Sequence, residues 1–209
     1  MRTWLGFRPA KFEIILPDFC LTAIAKLADI LSWFGWRSPL RSTAVKVLTD
    51  GVKGTYPDLT RFGVPQLSSL NQALSNMSVS VQDRLFARMA LLTPIIFICL
   101  SLFWLTSGIV GIVKVNEAAQ VLQDVGWSPR TSVLSVLFWS VVDIAIGVAF
   151  ALRKHVHTAC VASIGVTVFY LMASTFVVPS LWLDPLGPLV KTLPAIVLAL
   201  VARVVLETR

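Results

Sequence analysis

Apolar residues gather into four long stretches in the second part of the chain. The first part mixes polar and apolar positions at helical spacing. Met89 to Val113 runs 25 residues without a charge, between Arg88 and Lys114. A transmembrane helix needs about 20 apolar residues, so this stretch predicts a span. Thr131 to Leu152 predicts a second, interrupted by one acid, Asp143. Val156 to Val178 predicts a third. Leu189 to Leu206 predicts a fourth, with Lys191 and Arg203 near enough to its ends for their charged tips to snorkel. Nothing alternates with period two, so the pattern excludes a barrel and predicts a helical bundle.

The first 88 residues read as mainly helical with some strand. Lys11–Leu16 leans toward β. Asp18 is placed to cap a helix whose apolar positions Cys20, Ile24, Leu27, Leu31 and Phe34 lie on one face, and Gly35 is placed to end it. Ser38-Pro39 reads as a cap and first turn. It opens a helix with Leu40, Ala44, Val47 and Leu48 inward, stopped at Gly51. Thr55–Pro65 reads as a loop, and Ser68 as the start of a short helix through Leu74. These pieces are too few to close a robust core alone. They belong to something larger or lie against a membrane surface. The predicted fold is therefore an all-α membrane protein. A small, mainly helical cytoplasmic segment (residues 1–80) precedes a four-helix transmembrane bundle (residues 81–209).

Composition sharpens this division. The chain is 56% apolar and only 14% charged, with a mean hydropathy of +0.79; soluble domains carry about 25% charged residues. Residues 1–88 hold eleven Lys/Arg against six Asp/Glu, and residues 89–209 hold seven against five. The pI of about 9.8 does not imply nucleic acid. No basic run exceeds two residues, and none is interleaved with an aromatic platform. Basic flanks on membrane spans account for the charge. The cysteines Cys20, Cys99 and Cys160 form no C-x-x-C pair and read as reduced thiols. Phe12–Phe34 is broken by Glu13, Asp18, Lys26 and Asp29, so it is no secretory signal, and the N-terminus is expected to stay in the cytoplasm.

Loop charge predicts orientation. Arg84 and Arg88 precede the first span. Arg153 and Lys154, with His155 and His157, fill the turn between the second and third. Arg203 and Arg209 close the chain. The other two loops, Val115–Arg130 and Pro179–Pro188, carry one Lys/Arg and three acids. The positive-inside rule then places both termini in the cytoplasm, in agreement with an even number of spans.

Asp143 is the leading candidate for chemistry. Ser140 and Gly147 share its face. An ionisable residue at bilayer depth is costly, so it must face the interior and find a partner. Two roles are open: a binding or proton-handling carboxylate, or a polar staple between helices. The third span offers Ser163, Thr167, Tyr170 and Ser174, spaced 4, 3 and 4, as one polar stripe. The stripe reads either as packing glue, worth about 0.6 kcal/mol per interhelical hydrogen bond, or as a ligand-lined face. Tyr170 is the expected partner of Asp143. Ser107 and Gly111 give the first span a small-xxx-small edge, read as close packing. Asp184 and Lys191 flank a hairpin rich in proline. They are placed to pair across it, Lys191 alternatively reaching Asp143 or an anionic ligand, or both stay solvated. His155 and His157 lack a carboxylate neighbour, so no metal site is expected.

The chain lacks G-x-G-x-x-G, G-x-S-x-G, H-E-x-x-H and P-loop motifs, and has no Tyr-x-x-x-Lys pair. A self-sufficient nucleotide-dependent enzyme is not expected, and whether the chain is catalytic at all stays open.

The four predicted spans, with Asp143 and Gly147 in the second, Tyr170 in the third and LWLDPLGPLVKTLP at Leu181–Pro194, resemble the DoxX-like membrane domain. Three earlier segments are FRPAKFEIILPDF (Phe7–Phe19), SPLRSTAVKVLTDGVKG (Ser38–Gly54) and FGVPQLSSLNQAL (Phe62–Leu74). They resemble the substrate-side end of short-chain dehydrogenases of the NAD-dependent epimerase kind. Bacterial fusions of such a reductase to a DoxX-like domain have this order of parts. The resemblance implies a bacterial inner-membrane protein, either a subunit or anchor of an oxidoreductase acting on an apolar substrate or quinone, or a truncated fusion. It implies no cofactor on this chain, with NAD(P) present only if a partner module supplies a Rossmann domain. None of the family's catalytic residues has a matching position here. The alternative from a different class is a non-catalytic membrane scaffold or small-molecule carrier. In either case the partners are the lipid bilayer and, for the first, a Rossmann-type module, with no nucleic acid.

Overall fold

A computed structural model describes residues 17–36, 38, 40–51, 68–185 and 187–207. Every regular element among them is helical. The chain divides into two compact units, Met1–Ala90 and Leu91–Arg209.

In the first unit, α1 (Asp18–Trp33) and α2 (Ser42–Asp50) pack together, and α3 (Leu70–Asn76) follows. The start of α1 differs from expectation: Pro17 occupies the N-cap position and Asp18 is the first helical residue. Gly35 does end the helix. At φ 87° it takes the left-handed conformation that glycine adopts without strain, while Trp36 N–H bonds back to Leu31 O. α2 begins after Arg41, not at Ser38-Pro39. Ser38 Oγ instead accepts from Leu40 N–H at 3.1 Å. α3 starts after Ser69, whose side chain closes a capping box with Gln72. The expected strand at Lys11–Leu16 and loop at Thr55–Pro65 lie outside the described residues.

The large apolar side chains of α1 face outward. Ala25 and Ala28 are buried, whereas Leu27, Leu31 and Phe34 are exposed, as are Phe19 and Trp33. Small residues let α1 and α2 approach, and Asp29 pins them. It accepts from Arg41 Nε at 3.4 Å and from Ser42 N–H at 3.3 Å. Hydrogen bonding from Ser42, ahead of Arg41, holds the Asp29 carboxyl below its ordinary value.

The second unit holds the long helices. α4 (Val81–Val113) carries Pro94 inside it. Proline lacks the N–H that would bond the carbonyl of Ala90, and the two units part at that residue. α5 (Val115–Gln123) stands where a loop was expected. It is amphipathic, buries Ala119 and packs along α6 (Pro129–Ala151). Ser128 caps α6 by accepting from Thr131 N–H, with Pro129 in the first turn. A tight turn, Arg153–His155, leads into α7 (Val156–Val177).

Among the described residues, three helices are long and apolar enough to cross a membrane: Val81–Val113, Pro129–Ala151 and the run Arg153–Val177. The expected fourth does not reach that length. Short turns at Pro179–Trp182 and Val190–Thr192 occupy the hairpin, and α8 is confined to Leu193–Glu207, 15 residues. At 1.5 Å per residue that is about 22 Å, short of a hydrocarbon core of about 30 Å. Pro194 has no N–H to bond the carbonyl of Val190, so the chain before it makes the short Val190–Thr192 turn and the α-helix starts at Leu193. α8 lies against α7, with Ala199, Ala202, Ala159 and Cys160 all buried.

Glycines bring α4 and α6 together. A Cβ at Gly108 would stand 2.5 Å from Ser140 O and 2.6 Å from Ile144 Cγ1, and one at Gly147 would stand 2.7 Å from Leu105 Cγ. A Cβ at Gly111 would collide with Ser140 Oγ. Ser101 Oγ bonds Gly147 O at 2.8 Å in the same seam. Residue numbers rise on α4 as they fall on α6, so the pair is antiparallel.

Two outcomes follow from this packing. Gly108→Ala is expected to lower stability by about 1–3 kcal/mol, the usual range for overpacking, read as a drop in thermal midpoint in detergent. Gly165→Ala, with open space around its Cβ, should leave the midpoint unchanged. In the first unit, a lowered Asp29 pKa contributes stability above the unfolded pKa near 3.8 and loses it as pH falls through the folded value. Protection factors of the α1 and α2 amides, taken against the intrinsic exchange rate at each pH, should therefore fall below about pH 4, and Asp29→Asn should remove that acid dependence.

Candidate functional site

The close approach of α4 and α6 decides what surrounds Asp143. It lies on the buried face of α6 with Ser140 and Gly147, and only 5% of its surface is exposed. Both carboxylate oxygens are engaged. Ser107 of α4 donates to Oδ2 at 2.7 Å, and Tyr170 of α7 donates its phenolic proton to Oδ1 at 2.8 Å. Three helices thus meet at one side chain.

Aromatic rings hold Tyr170 in place. Trp139, one turn before Asp143 on α6, stacks on Phe169 at 4.6 Å between centroids and meets Tyr170 edge-on at 5.3 Å. Edge-to-face and offset stacking are the preferred geometries of such rings. The phenol is therefore fixed from its side while its hydroxyl reaches the carboxylate.

The rest of the predicted stripe behaves differently. Ser163 and Thr167 are buried, but each hydroxyl donates along its own helix, to Cys160 O at 2.9 Å and to Ser163 O at 2.7 Å. Ser174 is half-buried. Only Tyr170 of the stripe reaches Asp143. Lys191 is exposed on the Val190–Thr192 turn and is not among the donors to Asp143, whose oxygens are taken by hydroxyls. Asp184 is half-buried in the hairpin, where its carbonyl accepts from Gly187 N–H at 2.8 Å.

Sequence reasoning treated Ser107 only as a small residue for packing. Its hydroxyl is the second donor to Asp143. The sequence held no signal for this: Ser107 lies toward the end of the apolar run Met89–Val113, away from its middle. Trp104 was also missed. It is 2% exposed, one turn before Ser107 and Gly108, and its indole Nε1 is buried without a partner among the described residues. Among the described residues there is no group of three or more His, Cys, Asp or Glu side chains able to hold a metal ion.

Such an arrangement can do two things: lock three helices in register, or hold a carboxylate for exchange of a proton or a cationic group. Both oxygens being satisfied by protein hydroxyls matches the first. Removing one donor tests it. Tyr170→Phe is expected to cost about 1–3 kcal/mol, because it leaves a buried carboxylate oxygen without its donor. In a double-mutant cycle with Asp143→Ala, which removes the acceptor, read by thermal unfolding in detergent, the two changes should be non-additive, as expected for groups in contact. Additive effects would show that the hydrogen bond contributes nothing.

Residues 101–200 match the model of the DoxX-like family. The matched range takes in the α4–α6 seam, the Ser107–Asp143–Tyr170 network and most of α8. No curated protein and no solved structure matches the chain.

Proposed function

We propose that the chain, with its DoxX-like domain at residues 101–200, is a multi-pass membrane subunit or anchor for an NAD(P)-dependent oxidoreductase module acting on an apolar substrate or quinone. The observation that carries the membrane role is the Ser107–Asp143–Tyr170 network: a carboxylate satisfied by two neighbouring helices at bilayer depth. In this reading Asp143 is a staple that fixes the bundle, and Trp139, Phe169 and Tyr170 form its aromatic side. The stretch Leu189–Leu206 acts as a short fourth crossing, both termini face the cytoplasm, and the membrane is the bacterial inner one. Residues 1–80 serve as the docking side and residues 81–209 as the membrane domain.

Docking draws its support from two features of the first part of the chain. The segments Phe7–Phe19, Ser38–Gly54 and Phe62–Leu74 resemble the substrate-side end of extended short-chain dehydrogenases. In addition, Phe19, Leu27, Ile30 and Trp33 of α1 stand exposed, an apolar face that a protein module would cover. The nicotinamide would then come with the partner's Rossmann domain and not with this chain.

A second reading, a non-catalytic scaffold or carrier, is favoured by the saturation of Asp143. The coding region just upstream of Met1 separates the two. An in-frame or adjacent Rossmann-type reading frame is the expected finding, and its product should co-purify with this chain in detergent. If no such reading frame is there, the oxidoreductase reading falls and the scaffold stands. Calorimetric titration of the isolated chain with NAD(P)H should show no micromolar binding. Thiol reagents applied to intact cells from the periplasmic side should leave a cysteine introduced at Lys154 unlabelled; labelling there would overturn the orientation.

A further inference from the structure

α4 is longer than a membrane crossing needs. Its 33 residues make about 50 Å of helix, against a hydrocarbon core of about 30 Å. The part from Pro94 to Val113 is by itself about 30 Å long. It ends where the Lys114–Glu117 ion pair returns charge to the chain. That leaves Val81–Thr93 as an arm beyond one hydrocarbon thickness. The arm has its own start. Ser80 donates its N–H and its hydroxyl to Asp83 Oδ2, both at 2.9 Å, and Asp83 N–H donates back to Ser80 Oγ at 3.2 Å, a reciprocal cap. At its other end stands Pro94. It removes the N–H that would bond the carbonyl of Ala90, and a proline inside a helix is where that helix bends.

The arm is amphipathic. Helical spacing puts Val81, Leu85 and Leu92 on one face, with Phe86 beside them. Val81, Leu85 and Phe86 are more than half exposed, and Leu92 is exposed too. Asp83 and Ala87 lie on the opposite side. Arg84 and Arg88 line one edge of the apolar stripe; an arginine there lays its stem along acyl chains and keeps its head among the headgroups, so the edge is compatible with lipid. Beyond Pro94 the same line of the helix continues through Phe103 and Val110, both exposed. There it faces lipid, because that part of α4 crosses the bilayer. One apolar line therefore runs from the span onto the arm. On a straight α4 its outer part would stand in water. Along the membrane surface it keeps the solvent it has in the span.

We infer that Val81–Thr93 turns out of the span at Pro94 and lies along the lipid surface as an amphipathic arm, with Val81, Leu85, Phe86 and Leu92 in the acyl boundary. The inference needs α4 to cross a membrane. It goes beyond the proposed function and does not rest on an oxidoreductase partner, so the upstream reading frame and the lipid measurement fail separately.

The test is electron paramagnetic resonance of the full chain in vesicles of phosphatidylcholine and phosphatidylglycerol. A nitroxide carried on p-acetylphenylalanine is placed in turn at Val81, Leu85, Leu92, Asp83 and Ala87, which leaves the native cysteines untouched. Power saturation compares collision with oxygen, which concentrates in lipid, and with a water-soluble nickel chelate. Oxygen is expected to dominate at Val81, Leu85 and Leu92, to a similar degree at all three, and the chelate at Asp83 and Ala87. Leu85→Asn with Phe86→Asn, both exposed positions, should shift the label at Val81 toward the chelate, with helical circular dichroism as the check on folding. If that variant misfolds, the comparison of the two faces in the unaltered background decides alone. On a straight α4, Val81 would stand about 16 Å farther out than Leu92; a chelate signal rising steadily from Leu92 to Val81 would overturn the turn at Pro94. Chelate access on both faces would overturn the lipid contact. Exclusion of both reagents at Val81 and Leu85 would show a protein cover in its place. An unmoved Val81 label in the folded double variant would overturn the stripe as the anchor.

Discussion

One carboxylate in an apolar bundle constrains the rest of the membrane domain. Asp at a helix centre is disfavoured in lipid by about 2.5–3.5 kcal/mol, so Asp143 must be turned inward and given donors. Two come from different helices: Ser107 on α4 and Tyr170 on α7. Satisfying one side chain therefore sets the register of three helices. Ser107 can reach only because Gly108, Gly111 and Gly147 let the backbones of α4 and α6 come close. The same seam admits Ser101 to the carbonyl of Gly147. Small residues and polar donors work together here, as they must where lipid tails offer no hydrophobic drive for helix association.

The outer faces of these helices answer to a different solvent. Ile95, Leu134, Phe138 and Phe176 are more than half exposed, which in water would be a liability and in a bilayer is the expected state. Charges keep to the ends. Lys114 pairs with Glu117 at the start of α5, and basic residues fill the α6–α7 turn. The first unit holds together by other means. Its α1–α2 contact uses alanines and the Asp29 pin, while the large side chains of α1 point away. A helix that turns its alanines toward its neighbour and its Trp and Phe outward has its larger apolar surface available for a further layer.

These features limit what Asp143 can do in the resting state. Asp143 holds one hydroxyl on each carboxylate oxygen and is 5% exposed, so a ligand or a proton reaches it only through the packed core. The unpartnered indole of Trp104, one turn away on α4, is the polar group of this core that remains without a partner among the described residues, and buried donors in that state are rare. The match of residues 101–200 to the DoxX-like family covers both features. Together with the long apolar helices, that match agrees with a membrane domain.

Hydropathy along the chain was enough to locate three spans, because crossing a bilayer needs a long run of one solvent preference and such a run is visible residue by residue. The inward face of α6 and the Asp143–Tyr170 pair were legible for a related reason: a lone acid in an apolar helix has few places to go, and a hydroxyl stripe on the next helix was in view. Other features were decided only in three dimensions. Ser107 became a donor, not just a small residue, through the height at which α4 crosses α6. Ser163 and Thr167 turned to their own backbone carbonyls, a choice composition does not reveal. Which face of α1 packs was also decided there: Ala25 and Ala28 are buried, whereas periodicity marks only where the large apolar side chains lie. The last apolar stretch shortened because Pro194 cannot donate to the carbonyl of Val190, and hydropathy counts residues without asking whether their backbone can be helical.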